Sequence, residues 1–174
     1  EKPNLKSKHD HLLHIPNYYE FKHNLDVTDS NTVGFASRME TRKCPHYLQR
    51  IPSKLCTDPK DVQWWVKNLK IDIRGWKVYK FNYDFLDKFY KQDWGISHSA
   101  HIYEPFGYSI FQALDFGKIP ILSKDWLMEF DYPFRAFGQH EFYEQWKRIC
   151  DLSLDGRREW VSLLRAYLRK KYGD

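Results

Sequence analysis

The run Glu104-Pro-Phe-Gly-Tyr-Ser-Ile-Phe-Gln112, continuing Ala-Leu-Asp-Phe-Gly-Lys-Ile-Pro-Ile-Leu-Ser123, constrains this chain more than any other stretch. It reads as a tight loop, a helix over 108–116, a stop at Gly117 and a buried strand over 119–122. Pro120 marks that strand's beginning or a sheet edge. A helix starting just after Phe106-Gly107 offers amide N–H groups and a positive dipole end to an anion. Glu104 and Gln112 bracket the loop and the first turns. A carboxylate, amides and a second polar side chain meeting at one helix mouth suit a ligand with a diphosphate in the middle and hydroxyls at both ends.

The rest of the chain alternates in the same way. Residues 32–36 read as a strand and 45–51 as a short helix with Pro45 in its first turn, a tolerated place. Residues 62–66 and 76–81 read as strands, the second with period-two alternation. Asp84 can cap a helix carrying Phe85, Leu86, Phe89 and Tyr90 on one face. A strand over 94–99 ends at the loop with Glu104. Two helices follow. One spans 140–152 with Phe142, Tyr143, Trp146, Ile149 and Cys150 inward; the other spans 157–171 with Trp160, Leu163, Leu164, Tyr167 and Leu168 at helical spacing. This order predicts an α/β fold, a single Rossmann-like three-layer α/β/α domain with a mainly parallel sheet. Residues 1–30 read as a lead-in or interdomain linker and 31–174 as the domain. Ligands of such sheets bind outside the carboxyl ends of the strands, which selects the loops after Ala36 and Ser99.

Composition narrows the class. At 174 residues, 42% hydrophobic and 18% aromatic, there is material for one well-packed domain. No apolar run approaches the roughly 20 residues of a membrane span, and the polar start shows no signal peptide. A first residue of Glu predicts a fragment or a processed chain. Three cysteines, Cys44, Cys56 and Cys150, lack metal-like spacing and favour a reducing compartment, hence a cytoplasmic location, with a peripheral place at a membrane as the variant. The net charge of +5 comes wholly from 157–171, where Arg157, Arg158, Arg165, Arg169, Lys170 and Lys171 face only Glu159. A solvated terminal helix explains that, since cations there complement the dipole. Weak contact with an anionic membrane or nucleic acid is the alternative.

The stretch from Glu104-Pro-Phe-Gly through Gln112, Ala113, Gly117, Pro120 and Ser123 resembles the E-x7-E region of retaining GT-B glycosyltransferases (glycosyl transferases group 1). Val33-Gly-Phe-Ala-Ser-Arg38-Met-Glu-Thr-Arg-Lys43 is similar to that family's V-G-x-x-G-R-L-x-x-x-K-G turn, with the Arg-to-Lys spacing intact. His14-Ile-Pro-Asn17 is similar to the I-P-N-G leading into the second domain, and Tyr167-Leu-Arg-Lys-Lys-Tyr172 to the last helix. The resemblance implies the C-terminal, donor-binding half of a GT-B enzyme. Its ligand would be a nucleoside-diphosphate sugar, and its partner an N-terminal acceptor-binding domain absent from this chain.

The resemblance also assigns roles. Arg38 and Lys43 would neutralise the donor diphosphate, where fixed cations stabilise the charge on the leaving group; the bland alternative is two surface cations in a charged turn. Glu104 would accept from sugar hydroxyls. The Phe106-Gly107 backbone, flanked by Pro105 and Tyr108, would offer amides, with Gly107 keeping the approach open. Gln112 stands where the family has Glu on the ribose; it keeps one acceptor and gains two donors, but loses the strength of a charged partner. Ser37 and Cys44-Pro45 replace family glycines, leaving Gly34 as the turn's remaining one. Phe81, after the third strand, would stack on the base or belong to the core, and nothing identifies the base. No cofactor or metal is expected. His9, His11 and His14 form H-x-H-x-x-H without completing a ligand set, His98 or His101 could line the cleft, and Cys44 has no evident base partner. Two further readings stay open: a non-catalytic nucleotide- or sugar-binding module, for which Gln112 speaks, and a DNA-modifying glycosyltransferase domain.

Overall fold

The computed structural model describes residues 19–102 and 107–172. Six strands form one wholly parallel sheet: β1 (Val33–Ala36), β2 (Ser53–Thr57), β3 (Trp76–Lys80), β4 (Ile96–Ser99), β5 (Ile119–Ser123) and β6 (Arg135–Ala136), in the order β3-β2-β1-β4-β5-β6. The helices are α1 (Pro59–Leu69), α2 (Tyr83–Tyr90), α3 (Tyr108–Asp115), α4 (Gln139–Cys150) and α5 (Leu154–Tyr172), with short 3-10 turns at Thr41–Lys43 and Pro45–Leu48. This is the expected Rossmann-like α/β architecture. Alternation along the strands feeds two cores. Val33, Phe35, Leu55 and Ile96 join the larger cluster with α1, α4 and α5. Cys56 and Ala36 join the smaller one with Phe89, Tyr90 and Trp94. Strand order reverses between β1 and β4, which makes their carboxyl ends the crevice of the fold.

Several local expectations change. Residues 62–66 are not a strand but the middle of α1. Asp58 caps it, its Oδ1 accepting from Lys60 N at 2.9 Å, with Pro59 at the first turn. Val62 and Trp65, three residues apart, are buried while Trp64 is 55% exposed, a helical rather than an alternating pattern. The second strand is instead Ser53–Thr57, whose polar residues hide an inner strand paired on both sides. The helix at 45–51 shrinks to the 3-10 turn Pro45–Leu48. Asn82, not Asp84, caps α2, accepting from Asp84 N at 3.0 Å.

Pro120 sits inside β5 without harm. Its carbonyl accepts from Tyr132 Oη at 2.6 Å, on the side away from β4, so the missing N–H interrupts no ladder bond. Gly117 ends α3 at φ 71°, and a Cβ there would meet Asp26 O at 2.3 Å. Residues 19–30, expected as lead-in, pack into the domain: Asp115, 2% exposed, accepts from the backbone N–H of both Lys22 and His23 at 2.9 Å.

The last helix is less solvated than its charge suggests. Arg157 and Arg165 are 1% and 6% exposed, and Leu163, expected inward, is 47% exposed. Arg157 donates to Ser30 O at 2.7 Å and Arg165 to His23 O at 3.0 Å. Arg158 pairs with Asp155 and Lys171 with Glu129. No helix among the described residues is long and apolar enough to cross a membrane.

Candidate functional site

A cleft of about 550 Å³ opens at the carboxyl edge beside the β1–β4 switch point. Strand order sets its layout. Phe81 and Tyr83 come after β3. Thr57 ends β2, with Asp58 and Asp61 following it. Ser37, Arg38 and Lys43 come after β1. Tyr108 and Ser109 open α3, which follows β4. The cap of α3 is Gly107, at φ 77°, so the capping residue itself adds no side chain there. A larger groove of about 700 Å³ lies on the other side of Asp61, against Trp64 and Trp65. It takes no residue from β4 or α3, so it lies off the crevice.

The cation turn is held tightly. Glu40 bridges Arg38 at 3.0 Å and Arg42 at 2.9 Å, and the Arg42 hydrogen bond draws the Glu40 carboxyl below its ordinary range. Arg38 remains 73% exposed at its side chain. Lys43 Nζ lies 3.5 Å from His101 Nδ1. Cys44 then turns left-handed, at φ 50°. Its carbonyl accepts from His98 Nε2 at 2.9 Å, while the N–H of Ala100 donates to His98 Nδ1 at 3.3 Å. This pair of bonds assigns His98 as the neutral tautomer protonated on Nε2, and burial drives its pKa well below the usual histidine value. His98 therefore clips the end of the cation turn to β4. Ile102 N donates to Arg42 O at 2.8 Å and adds a second clip.

The structure brings four of the expected ligand residues, Arg38, Lys43, Phe81 and Tyr108, to one cleft, with Gly107 at its helix mouth. Phe81 is 38% exposed and packs edge-on to Tyr83, with ring centroids 5.0 Å apart, so it is not core. Gln112 is half-buried one turn deeper on the α3 face that carries Tyr108 and Ser109, and does not line the cleft. Gly34 lies within β1 beneath the Trp94 ring, where a Cβ would meet the ring at 2.2 Å. His98 and His101 are buried, at 3% and 1% exposure, beneath the cleft rather than along it. Cys44 is buried too, which pushes its thiol pKa up and disfavours the thiolate. Glu104, Pro105 and Phe106, and likewise His9, His11, His14 and Asn17, lie outside the described residues. Among the described residues no group of three or more His, Cys, Asp or Glu could hold a metal. Thr57, Asp61 and Ser109 were missed from sequence. Their one available signal is position: Thr57 ends a strand, and Asp61 and Ser109 come after one.

No protein-family profile matches the sequence, and no curated protein matches it. Its shape does match solved structures. A structure of S. aureus TarM carrying one substitution, in complex with fondaparinux, alpha-GlcNAc-glycerol and UDP, superposes with a TM-score of 0.66 at 14% identity. A second TarM structure superposes with a TM-score of 0.65 at 15% identity. Each alignment covers 89% of this chain and 35% of the neighbour, so the chain spans about a third of the length of the proteins it resembles. TarM is a GT-B glycosyltransferase; this chain therefore has a Rossmann-like α/β fold of the kind found in GT-B glycosyltransferases.

Proposed function

We propose that this chain is the donor-binding domain of a retaining glycosyltransferase that uses a nucleoside-diphosphate sugar. One observation carries the proposal: a single cleft at the switch point has Arg38 and Lys43 in its middle, an aromatic pair at one end and the mouth of α3 at the other. As the bond from sugar to diphosphate breaks, charge grows on the diphosphate, and Arg38 and Lys43 stabilise it without a resident metal. Phe81 and Tyr83 offer ring faces and edges to a base. The sugar falls towards Gly107 and Tyr108, and the roles expected of Glu104, Pro105 and Phe106 stay part of this proposal. That a structural neighbour was solved in complex with UDP supports a nucleotide as the ligand class.

Transfer needs an acceptor-binding domain across the cleft. Tyr83 and Phe137, 81% and 60% exposed, stand just beyond the carboxyl ends of β3 and β6, and Tyr108, 55% exposed, opens α3, an edge suited to being covered. The cytoplasmic location stays part of this proposal. The nucleic-acid and membrane variants lose support, because two of the six cations of α5 are buried and two are paired with acids.

Calorimetric titration with UDP, GDP and ADP tests the proposal. At least one should bind, and replacing both Arg38 and Lys43 by Ala should weaken it roughly tenfold or more, the scale of one or two charge-assisted hydrogen bonds. Absence of binding to every nucleotide sinks the proposal. Sugar transfer on mixing with an acceptor domain separates an enzyme half from a non-catalytic binding module.

A further inference from the structure

We infer that the ribose of the bound nucleotide is held by Thr57 and Asp61, at the end of β2, rather than by Gln112. The inference rests on the proposed donor site and adds a specificity element to it. Along the carboxyl edge the strand order is β3, β2, β1, so the aromatic pair and the cationic turn stand two strand spacings apart, about 10 Å. Whatever joins a base to a diphosphate must cross the end of β2. In a nucleotide that connector is a ribose, with two hydroxyls that donate and accept.

The end of β2 has what a diol requires. Thr57 lines the cleft yet is 1% exposed, and its buried Oγ1 has no hydrogen-bond partner among the described residues. A buried hydroxyl with no partner is costly unless something fills the role; a ligand hydroxyl facing it would do so. Asp61 stands in the first turn of α1 and lines the same cleft. Its carboxylate has no ion pair or side-chain hydrogen bond among the described residues. Asp58, one turn earlier, is already engaged in capping α1. A carboxylate and a hydroxyl lining the same cleft can divide a diol between them, Asp61 accepting from one ribose hydroxyl and Thr57 Oγ1 exchanging a bond with the other. Gln112 is not among the residues lining the cleft, which leaves the two groups at the end of β2 placed to meet a ribose there.

The test compares each ribonucleoside diphosphate that binds with its 2′,3′-dideoxy form and with inorganic pyrophosphate, on the full 174-residue chain. The natural chain should favour the ribo form roughly tenfold, as one hydrogen bond to a charged group would give. In D61N and in T57V that preference should fall to within about twofold, while pyrophosphate binding does not weaken. T57S, which keeps the hydroxyl, should preserve the preference. Asp61 is exposed, so D61N reports even if T57V folds poorly. A preference unmoved by D61N, or one erased by Q112A alone, overturns this inference while leaving the donor site standing. Failure of every nucleotide to bind overturns both.

Discussion

Lys118 holds an ammonium where little water reaches, since the residue is 4% exposed. Its Nζ donates to Gln92 O at 3.0 Å and Trp94 O at 2.7 Å and lies 4.8 Å from the Trp94 ring centroid. Burial nevertheless pulls its pKa down to about 8, against opposing pulls from Asp26 and Asp93. Between pH 8 and the ordinary lysine value near 10.5, the unfolded chain binds a proton that the folded chain has released. Stability from this group therefore rises with pH across that window and is smallest below it. Urea unfolding of the natural chain and of K118M at pH 7.5, 8.5 and 9.5 should show their difference growing by at most about 1.4 kcal/mol per pH unit. A constant difference would place the lysine's titration elsewhere. Gly34 makes the opposite point about residue identity. The sequence pattern sets it beside a ligand, yet the space it leaves open is filled by Trp94. G34A should lower stability by about 1–3 kcal/mol, as overpacking does, measured by thermal or urea unfolding.

Among the elements, α3 links the cleft to the entering chain. Its first residues open on the cleft, and its last, Asp115, grips the incoming chain through Lys22 N, His23 N and His23 Nδ1, all at 2.9 Å. Arg165 lies 3.9 Å from the same carboxylate. D115N keeps an acceptor but removes the charge, so the Lys22 and His23 amides should exchange at least several-fold faster with solvent, with a stability loss of about 1–3 kcal/mol. Unchanged exchange would mean the segment is held by its aromatic packing alone. How much of this could be read from sequence depended on whether the cause was local. Helix, glycine stop and strand from 108 to 123 were legible because a stop and a hydrophobic run are short-range signals. Arg38 and Lys43 were legible through their spacing. The helix α1 was misread because Val62, Trp64, Trp65 and Val66 look continuous until Asp58-Pro59 is recognised as a cap. β2 was missed because Ser53, Lys54 and Thr57 are polar in a strand whose pairing partners lie far away in sequence. The places of Thr57 and Asp61 at the cleft and of His98 beneath it follow from strand order or a tertiary contact, which no local pattern encodes.

At the scale of the molecule, the question is where the domain begins. Sequence composition changes near residue 31, but the packing does not respect that point. Arg157 is 1% exposed, and its guanidinium donates to Thr28 O, Ser30 O and Asn31 Oδ1. Arg165 donates to His23 O and stacks 4.8 Å from the Phe21 ring. Two of the six cations of α5 thus find their acceptors in residues 19–31. Gly95 and Gly117 carry no side chain where Ser30 O and Asp26 O pass, each 2.3 Å from a would-be Cβ. A chain cut to begin at residue 31 would leave both guanidiniums buried without most of their acceptors, a loss of the kind that costs about 3–5 kcal/mol for one broken buried pair. Against a total stability of about 5–15 kcal/mol for a domain, two such losses should leave the 31–174 chain largely unfolded at 37 °C by circular dichroism, while the 174-residue chain melts cooperatively. Replacing Arg157 and Arg165 together by Met in the shortened chain should restore part of the transition, because the unmet charges, rather than the missing length, are the cause. If the shortened chain melts within a few degrees of the full one, residues 19–30 are a dispensable strap and the two arginines find water instead.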